Sequence, residues 1–231
     1  MVKERTLPEL DIEWLVNQIA HALRNPIFAA LVQVDALYLR SPLQPEAKRA
    51  VETLQRQLKR LEETINEMLL FGRPAQLTRT LVDVDELVAT VAEAYRRAPR
   101  PEPVVVTVCP AGCGLRASWD PSAIRVILER LLDNAIQHTK PPHRVEIRVE
   151  PGAEGQVTLA VCDEGEGIPD DLRDRVLLPF FPQHRGRPGL GLAVANRFCD
   201  LLGGSLRIDS RPGAGTEVRV CLPCDPPAPN G

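Results

Sequence analysis

Between residues 46 and 71 the apolar side chains follow one strict alternation of threes and fours: Val51, Leu54, Leu58, Leu61, Ile65 and Met68. Charged residues such as Lys59, Arg60, Glu62 and Glu63 fill the space between them. This is a heptad seam, and a heptad seam needs another helix against it. The chain supplies one upstream. From residue 9 to about residue 40, Ile12, Leu15, Ile19, Leu23, Ile27, Leu31, Val34 and Tyr38 also advance by threes and fours, the signature of one buried stripe. Ser41-Pro42 and Pro45 end the first helix and start the second. The expected product is a helical hairpin. A single hairpin leaves its seam half open, whereas two hairpins from two chains close it as a four-helix bundle. The other arrangement packs the hairpin on its own C-terminal half. The strictness of the seam favours the homodimer. Phe71-Gly72-Arg73-Pro74 then breaks the second helix and marks a hinge.

Residues 80 to 223 change character. Val84 to Tyr95 reads as a helix, Val104 to Cys109 as a strand, and Asp120 to His138 as a helix opened by an Asp-Pro cap. Val145 to Val149 and Val157 to Cys162 form a strand pair around the turn Pro151 to Gly155. A helix near Leu190 to Leu202 follows, then a second pair, Ser205 to Ser210 and Glu217 to Leu222. Strand pairs interspersed with helices predict an α+β sandwich, its helices on one face of a mixed sheet. The expected domains are therefore 1–74, a helical hairpin, and 75–223, an α+β unit, with 224–231 as a disordered tail.

Composition excludes several classes. A net charge of −3 is not the basic balance of a nucleic-acid binder or of a polybasic membrane surface. No apolar run approaches the roughly 18 residues of a membrane span, and MVKERTLPEL lacks the apolar stretch of a signal peptide. The expected location is the cytoplasm, where the six cysteines stay reduced. Cys109-x-x-x-Cys113 and Cys221-x-x-Cys224 resemble a zinc spacing, but a strand and a proline-rich tail suit small packing residues better.

Three places carry chemistry. His21 lies two residues from both Ile19 and Leu23, so it points away from the stripe. Pro26 sits inside the same helix, where it removes a backbone bond at a typical cost of about 3 kcal/mol. Such local rule-breaking beside an exposed imidazole marks a functional site. Asn25, four residues on, shares the face of His21. The second place is Asp163-Glu164-Gly165-Glu166-Gly167-Ile168, an acid at a strand end followed by glycines that let backbone approach a ligand. The third is Gly186 to Leu192, glycines opening an apolar helix whose first amides suit phosphate. Upstream, Asn134 offers a neutral oxygen to a hard cation such as Mg²⁺.

These segments together resemble the transmitter core of two-component sensor histidine kinases. Ala20 to Pro26 is similar to the phosphoacceptor box, Leu131 to Thr139 to the Asn-containing box, and Asp163-x-Gly165-x-Gly167-Ile168 to the first glycine box. Leu178 to Phe181 resembles the phenylalanine box, Gly189 to Ala193 the second glycine box, and Leu70 to Pro74 the exit from the dimerisation hairpin. Gly203-Gly204-Ser205 through Gly213-Ala214-Gly215-Thr216 completes the likeness.

The resemblance implies a Bergerat (GHKL) type sandwich that binds Mg-ATP. Asp163 would accept from the adenine amino group, helped by Thr216, with His138, Gly165 and Gly167 in the same pocket. Asn134 would hold Mg²⁺. Gly189, Leu190 and Gly191 would cradle phosphates under a mobile lid of about Pro182 to Pro188. His21 would take the γ-phosphoryl group and pass it to an aspartate of a response regulator, and Asn25 would position water for dephosphorylating that regulator. The input would come from a separate sensor protein or from residues outside this chain.

Four departures stand out. The acid usual after the His is Ala22, the first Asn of the Asn box is Arg130, the common Lys is Gln137, and Arg187 replaces a glycine. They keep open a dimeric scaffold or histidine phosphotransfer protein with a degenerate pocket, and an ATPase without histidine phosphorylation.

Overall fold

The computed structural model describes residues 12–40, 45–72, 76–99, 102–153, 155–173, 175–181 and 189–225. They form two compact units, one ending near Pro74 and the other beginning near Ala75.

The first unit is the hairpin, α1 (Ile12–Arg40) and α2 (Pro45–Gly72). α2 begins on Pro45, where the missing N–H costs nothing, and ends on Gly72. α1 continues unbroken through Pro26. Cross-helix contacts fix the antiparallel register: Gln55 Nε2 donates to Asp35 Oδ1 at 2.7 Å, and the Lys48 ammonium lies 5.6 Å from the Tyr38 ring centroid.

Burial along the hairpin corrects the stripe expected from spacing. Val16, Ala20 and Ile65 are buried, and Ile27, Leu31, Val34, Tyr38, Val51, Leu58 and Met68 are half-buried. Ile19 and Leu23 remain 42% and 43% exposed, and Leu54 and Leu61 53% and 47%. A stripe wider than one partner helix can cover leaves its flank in solvent.

The second unit contains β1 (Thr80–Asp83), α3 (Val84–Arg97), β2 (Val104–Cys109), β3 (Arg116–Trp119), α4 (Pro121–His138), β4 (His143–Pro151), β5 (Gln156–Asp163), α5 (Gly191–Leu201), β6 (Ser205–Ser210) and β7 (Thr216–Pro223). Five strands make a mixed sheet in the order β2-β4-β5-β7-β6, parallel only between β2 and β4. Strict alternation on β4 and β7 sends Val145, Ile147, Val149, Val218, Val220 and Leu222 into the core beneath α3, α4 and α5. Arg148, bonded to Glu217 and Cys162, lies on the polar face with Glu146 and Glu150. Arg96 donates to the Val106 carbonyl at 3.0 Å and so blunts the β2 edge.

Caps fix the helix starts. Asp83 accepts from Glu86 N–H ahead of α3, and Asp120 accepts from Ser122 and Ala123 N–H ahead of α4. The second Asp120 oxygen takes the Thr78 N–H at 2.7 Å, so one carboxylate joins the chain entering the unit to the start of α4.

Two features differ from the sequence expectation. β1 and β3 pair as a separate two-stranded antiparallel sheet that spacing did not indicate. The expected disordered tail is structured at its first residue. Cys224 N–H donates to Gly155 O at 2.8 Å, Ser118 N–H donates to Cys224 O at 2.6 Å, and Trp119 Nε1 donates to Pro223 O at 2.7 Å. Residues 226–231 lie outside the described residues.

Candidate functional site

On the hairpin unit, His21 and Asn25 are both exposed. Helical spacing sets Phe28 and Val32, 61% and 52% exposed, further along the same face as His21. The imidazole therefore sits above a polar then apolar strip that solvent reaches.

The second site is built where β5 ends. Asp163 is the last residue of β5, paired to Val145 on one side and Thr216 on the other. Burial pushes its carboxyl above the ordinary carboxylate range, while the Gly165 N–H, His138 and the Thr216 backbone pull it back. Its Oδ1 accepts from Gly165 N at 2.8 Å. A Cβ on Gly165 would fall 2.5 Å from the His138 carbonyl oxygen, and one on Gly167, at φ +71°, would run into the Arg211 carbonyl. Glycine is required at both places by the close passage of other backbone.

Further bonds hold this turn between the end of α4 and the β6–β7 connection. Glu166 N–H donates to His138 O at 3.3 Å, and Gly213 N–H donates to Glu166 O at 2.7 Å. Ile168 N–H donates to Ser210 Oγ at 2.8 Å, and that hydroxyl lies 2.9 Å from Thr216 Oγ1. The structure thus gathers His138, Asp163, Gly165, Gly167 and Thr216 in one place. Ser210, the hub of this network, has no signal in the sequence, because its partner Ile168 is remote along the chain.

On α4, Asn134 is half-buried and makes no side-chain hydrogen bond to a described residue. Its neighbour Asp133 accepts from Tyr95 Oη at 2.6 Å, and Arg130 lies 3.7 Å from the other Asp133 oxygen. The guanidinium that replaces the expected Asn is thereby balanced within its own helix. α5 packs on α4. Leu190 is fully buried, and the Gly189 backbone, at φ +68°, passes directly against Phe181. A Cβ on Gly191 would meet no described atom within 4 Å, so fold packing does not explain this glycine. The expected lid, Pro182 to Pro188 with Arg187, lies outside the described residues.

Among the described residues no group of three or more His, Cys, Asp or Glu side chains is arranged to hold a metal. The neutral Asn134 oxygen suits a Mg²⁺ ion that brings phosphate oxygens and water with it. No helix among the described residues is long and apolar enough to cross a membrane.

Two family models match the chain. The His Kinase A (phospho-acceptor) domain covers residues 14–77, and the histidine kinase-, DNA gyrase B-, and HSP90-like ATPase covers residues 119–226. The sensor histidine kinase ZraS of Klebsiella oxytoca is 28% identical over 211 residues, 90% of this chain and 45% of its own. The chain thus spans about half the length of the curated relatives it matches. A mycobacterial sensor histidine kinase, MprB, is 30% identical, covering 65% of this chain and all of the solved one, with a TM-score of 0.54. Full-length ShkA in complex with AMPPNP superposes with a TM-score of 0.77 at 24% identity, over 93% of this chain and 46% of that one. Histidine kinase ThkA, solved with its response regulator protein TrrA, gives 0.68 at 24% identity over 92% and 61%.

Proposed function

Because this chain belongs to the sensor histidine kinases, we propose that it is their transmitter core, phosphorylating its own His21 from Mg-ATP and passing the phosphoryl group to a response-regulator aspartate. Residues 1–74 serve as the dimerisation and phosphoacceptor unit, and 75–223 as the nucleotide-binding unit. The reading places the protein in the cytoplasm, as a homodimer driven by an input from elsewhere. The observation that carries it is the half-buried Asp163, flanked by Gly165, Gly167 and Thr216, in a chain whose hairpin exposes His21.

Asp163 accepts from the exocyclic amino group of adenine, with Thr216 and His138 beside it. Gly165 and Gly167 bring backbone close to the base, and Gly189, Leu190 and Gly191 bring the first turn of α5 toward the phosphates. Asn134 would hold Mg²⁺, which would supply charge neutralisation for the transferring group. The neutral imidazole of His21 gives its lone pair to the γ-phosphorus as the bond to ADP oxygen breaks and its electrons leave with ADP. The ring proton is then lost. A general base at that step is typically worth about 10²- to 10⁴-fold, and Ala22 supplies none, so autophosphorylation is expected to be slow. Asn25 orients water for the reverse signal, hydrolysis of the regulator's aspartyl phosphate.

A second reading, a dimeric scaffold with a degenerate pocket, draws on Ala22 and on the Arg130–Asp133 ion pair. Incubation with Mg²⁺ and γ-labelled ATP separates the two. Acid-labile label on the wild type, absent from His21→Gln, is the expected result. Nucleotide bound without label favours an ATPase or a latent kinase. Neither label nor nucleotide binding favours the scaffold.

A further inference from the structure

The end of α4 and the glycine turn meet through one side-chain pair that family likeness does not explain. His138 Nδ1 lies 3.2 Å from Glu166 Oε1. Backbone bonds reinforce the pair, since Glu166 N–H donates to the His138 carbonyl and Gly165 rests against that same oxygen. The two side chains line a cavity of about 480 Å³ with Lys140, Arg144 and Glu164. The His138 side chain is 18% exposed, the Glu166 side chain 66%.

We infer that Glu166 is a positioning residue for the nucleotide base, acting through His138. The inference rests on the nucleotide reading of this site. A carboxylate only accepts, so against a neutral imidazole it selects the tautomer with its proton on Nδ1. In water the other tautomer dominates. Fixing the tautomer also fixes the ring plane, because a ring whose Nδ1–H is committed cannot turn over without losing that bond. Gly165, whose N–H donates to Asp163 Oδ1 at 2.8 Å, rests against the His138 carbonyl oxygen, so the residue that Glu166 engages is joined through one glycine to the acceptor proposed for adenine. Glu166 touches no base in this scheme. It determines how the wall next to Asp163 presents itself.

The sequence carries the elements of this arrangement but not their meeting. Glu166 stands between two glycines, and His138 is the last residue of a helix that also carries exposed and half-buried side chains. Only the turn geometry, with Gly165 and Gly167 wedged against neighbouring backbone, brings the carboxylate to the ring.

The test uses the full chain. ¹⁵N ring shifts of His138, read without nucleotide at pH 8, where an ordinary imidazole is neutral, report the tautomer. The wild type is expected in the Nδ1–H form, and Glu166→Ala in the Nε2–H form. Loss of one ordering hydrogen bond corresponds to about a fivefold weaker ADP affinity. Inorganic tripolyphosphate, which has no base, is expected to bind both proteins alike. Glu166→Gln retains an acceptor oxygen and is expected to restore both the tautomer and the ADP affinity. The exposure of Glu166 makes misfolding of either variant a poor explanation of a loss. An unchanged tautomer in Glu166→Ala overturns the assignment, as does equal ADP affinity in the two proteins. A tautomer that responds to Glu166 in a wild type that binds no ADP overturns the nucleotide reading, and the positioning role falls with it.

Discussion

The two units of this chain solve the problem of burying apolar surface differently. The α+β unit closes its own core: Trp119, Ile124, Ile127, Leu128, Leu132, Ile147 and Leu159 are completely buried between the sheet and its helices. The hairpin does not. Four residues that its periodicity assigns to apolar stripes, Ile19, Leu23, Leu54 and Leu61, are between 42% and 53% exposed. Two helices packed only on each other bury one stripe apiece, and a wider apolar arc needs further helices. One unit closes its core within a single chain, and the other leaves an apolar flank that the proposed homodimer would cover.

The sharpest way to break this contrast is to charge the open seam. Leu54→Glu with Leu61→Glu is expected to weaken self-association by about a hundredfold or more, because carboxylates forced into an apolar interface lose their hydration. Light scattering would show the mass halving while ADP binding by the α+β unit persists. A variant that stays dimeric removes this seam as the interface.

The converse substitution acts on the closed core. Leu132→Ala, at a fully buried position on α4, is expected to cost about 2–5 kcal/mol, seen as a lower urea midpoint for the α+β unit. The oligomeric mass should not change. If it does, the units are not energetically separate.

The smallest effect has the opposite sign. Burial raises the Asp163 carboxyl above its ordinary value, so the folded state holds that proton more tightly than the unfolded chain does. Ionised at neutral pH, the carboxylate therefore destabilises the fold. That cost is relieved as pH falls through the raised value toward the ordinary one. Asp163→Asn is expected to raise the neutral-pH Tm by no more than about 2 °C, and to flatten the acid side of the stability profile. It should also abolish ADP binding. A lowered Tm would mean that the carboxylate's hydrogen bonds outweigh its desolvation.

How far the sequence can be read follows the same division. The hairpin was legible almost to its ends, because helical periodicity and proline are local signals. Within the α+β unit, Val104–Cys109 and Ser205–Ser210 could be placed to the residue from their flanking turns. Thr80–Asp83 and Arg116–Trp119 could not. Each is four residues long and exists through remote partners, with Arg79 reaching the Ser118 and Leu202 carbonyls and Cys224 capping the far side. In the site, the glycines announced tight backbone, but not against what. That Gly167 faces Arg211 and Gly215 faces Asp163 is a fact of tertiary structure. The ion pair of Arg130 with Asp133 was likewise hidden, since a substitution in a motif does not disclose where the new side chain turns.

The close passage of Gly189 against Phe181 has a consequence for engineering. Two chain positions that already touch can be joined by a longer connection without prising the scaffold apart, and doubling the length of a flexible connection adds only about 0.6 kcal/mol of closure entropy. That junction is a natural splice point for exchanging residues 182–188 between relatives, or for inserting a reporter peptide, with the surrounding domain left intact.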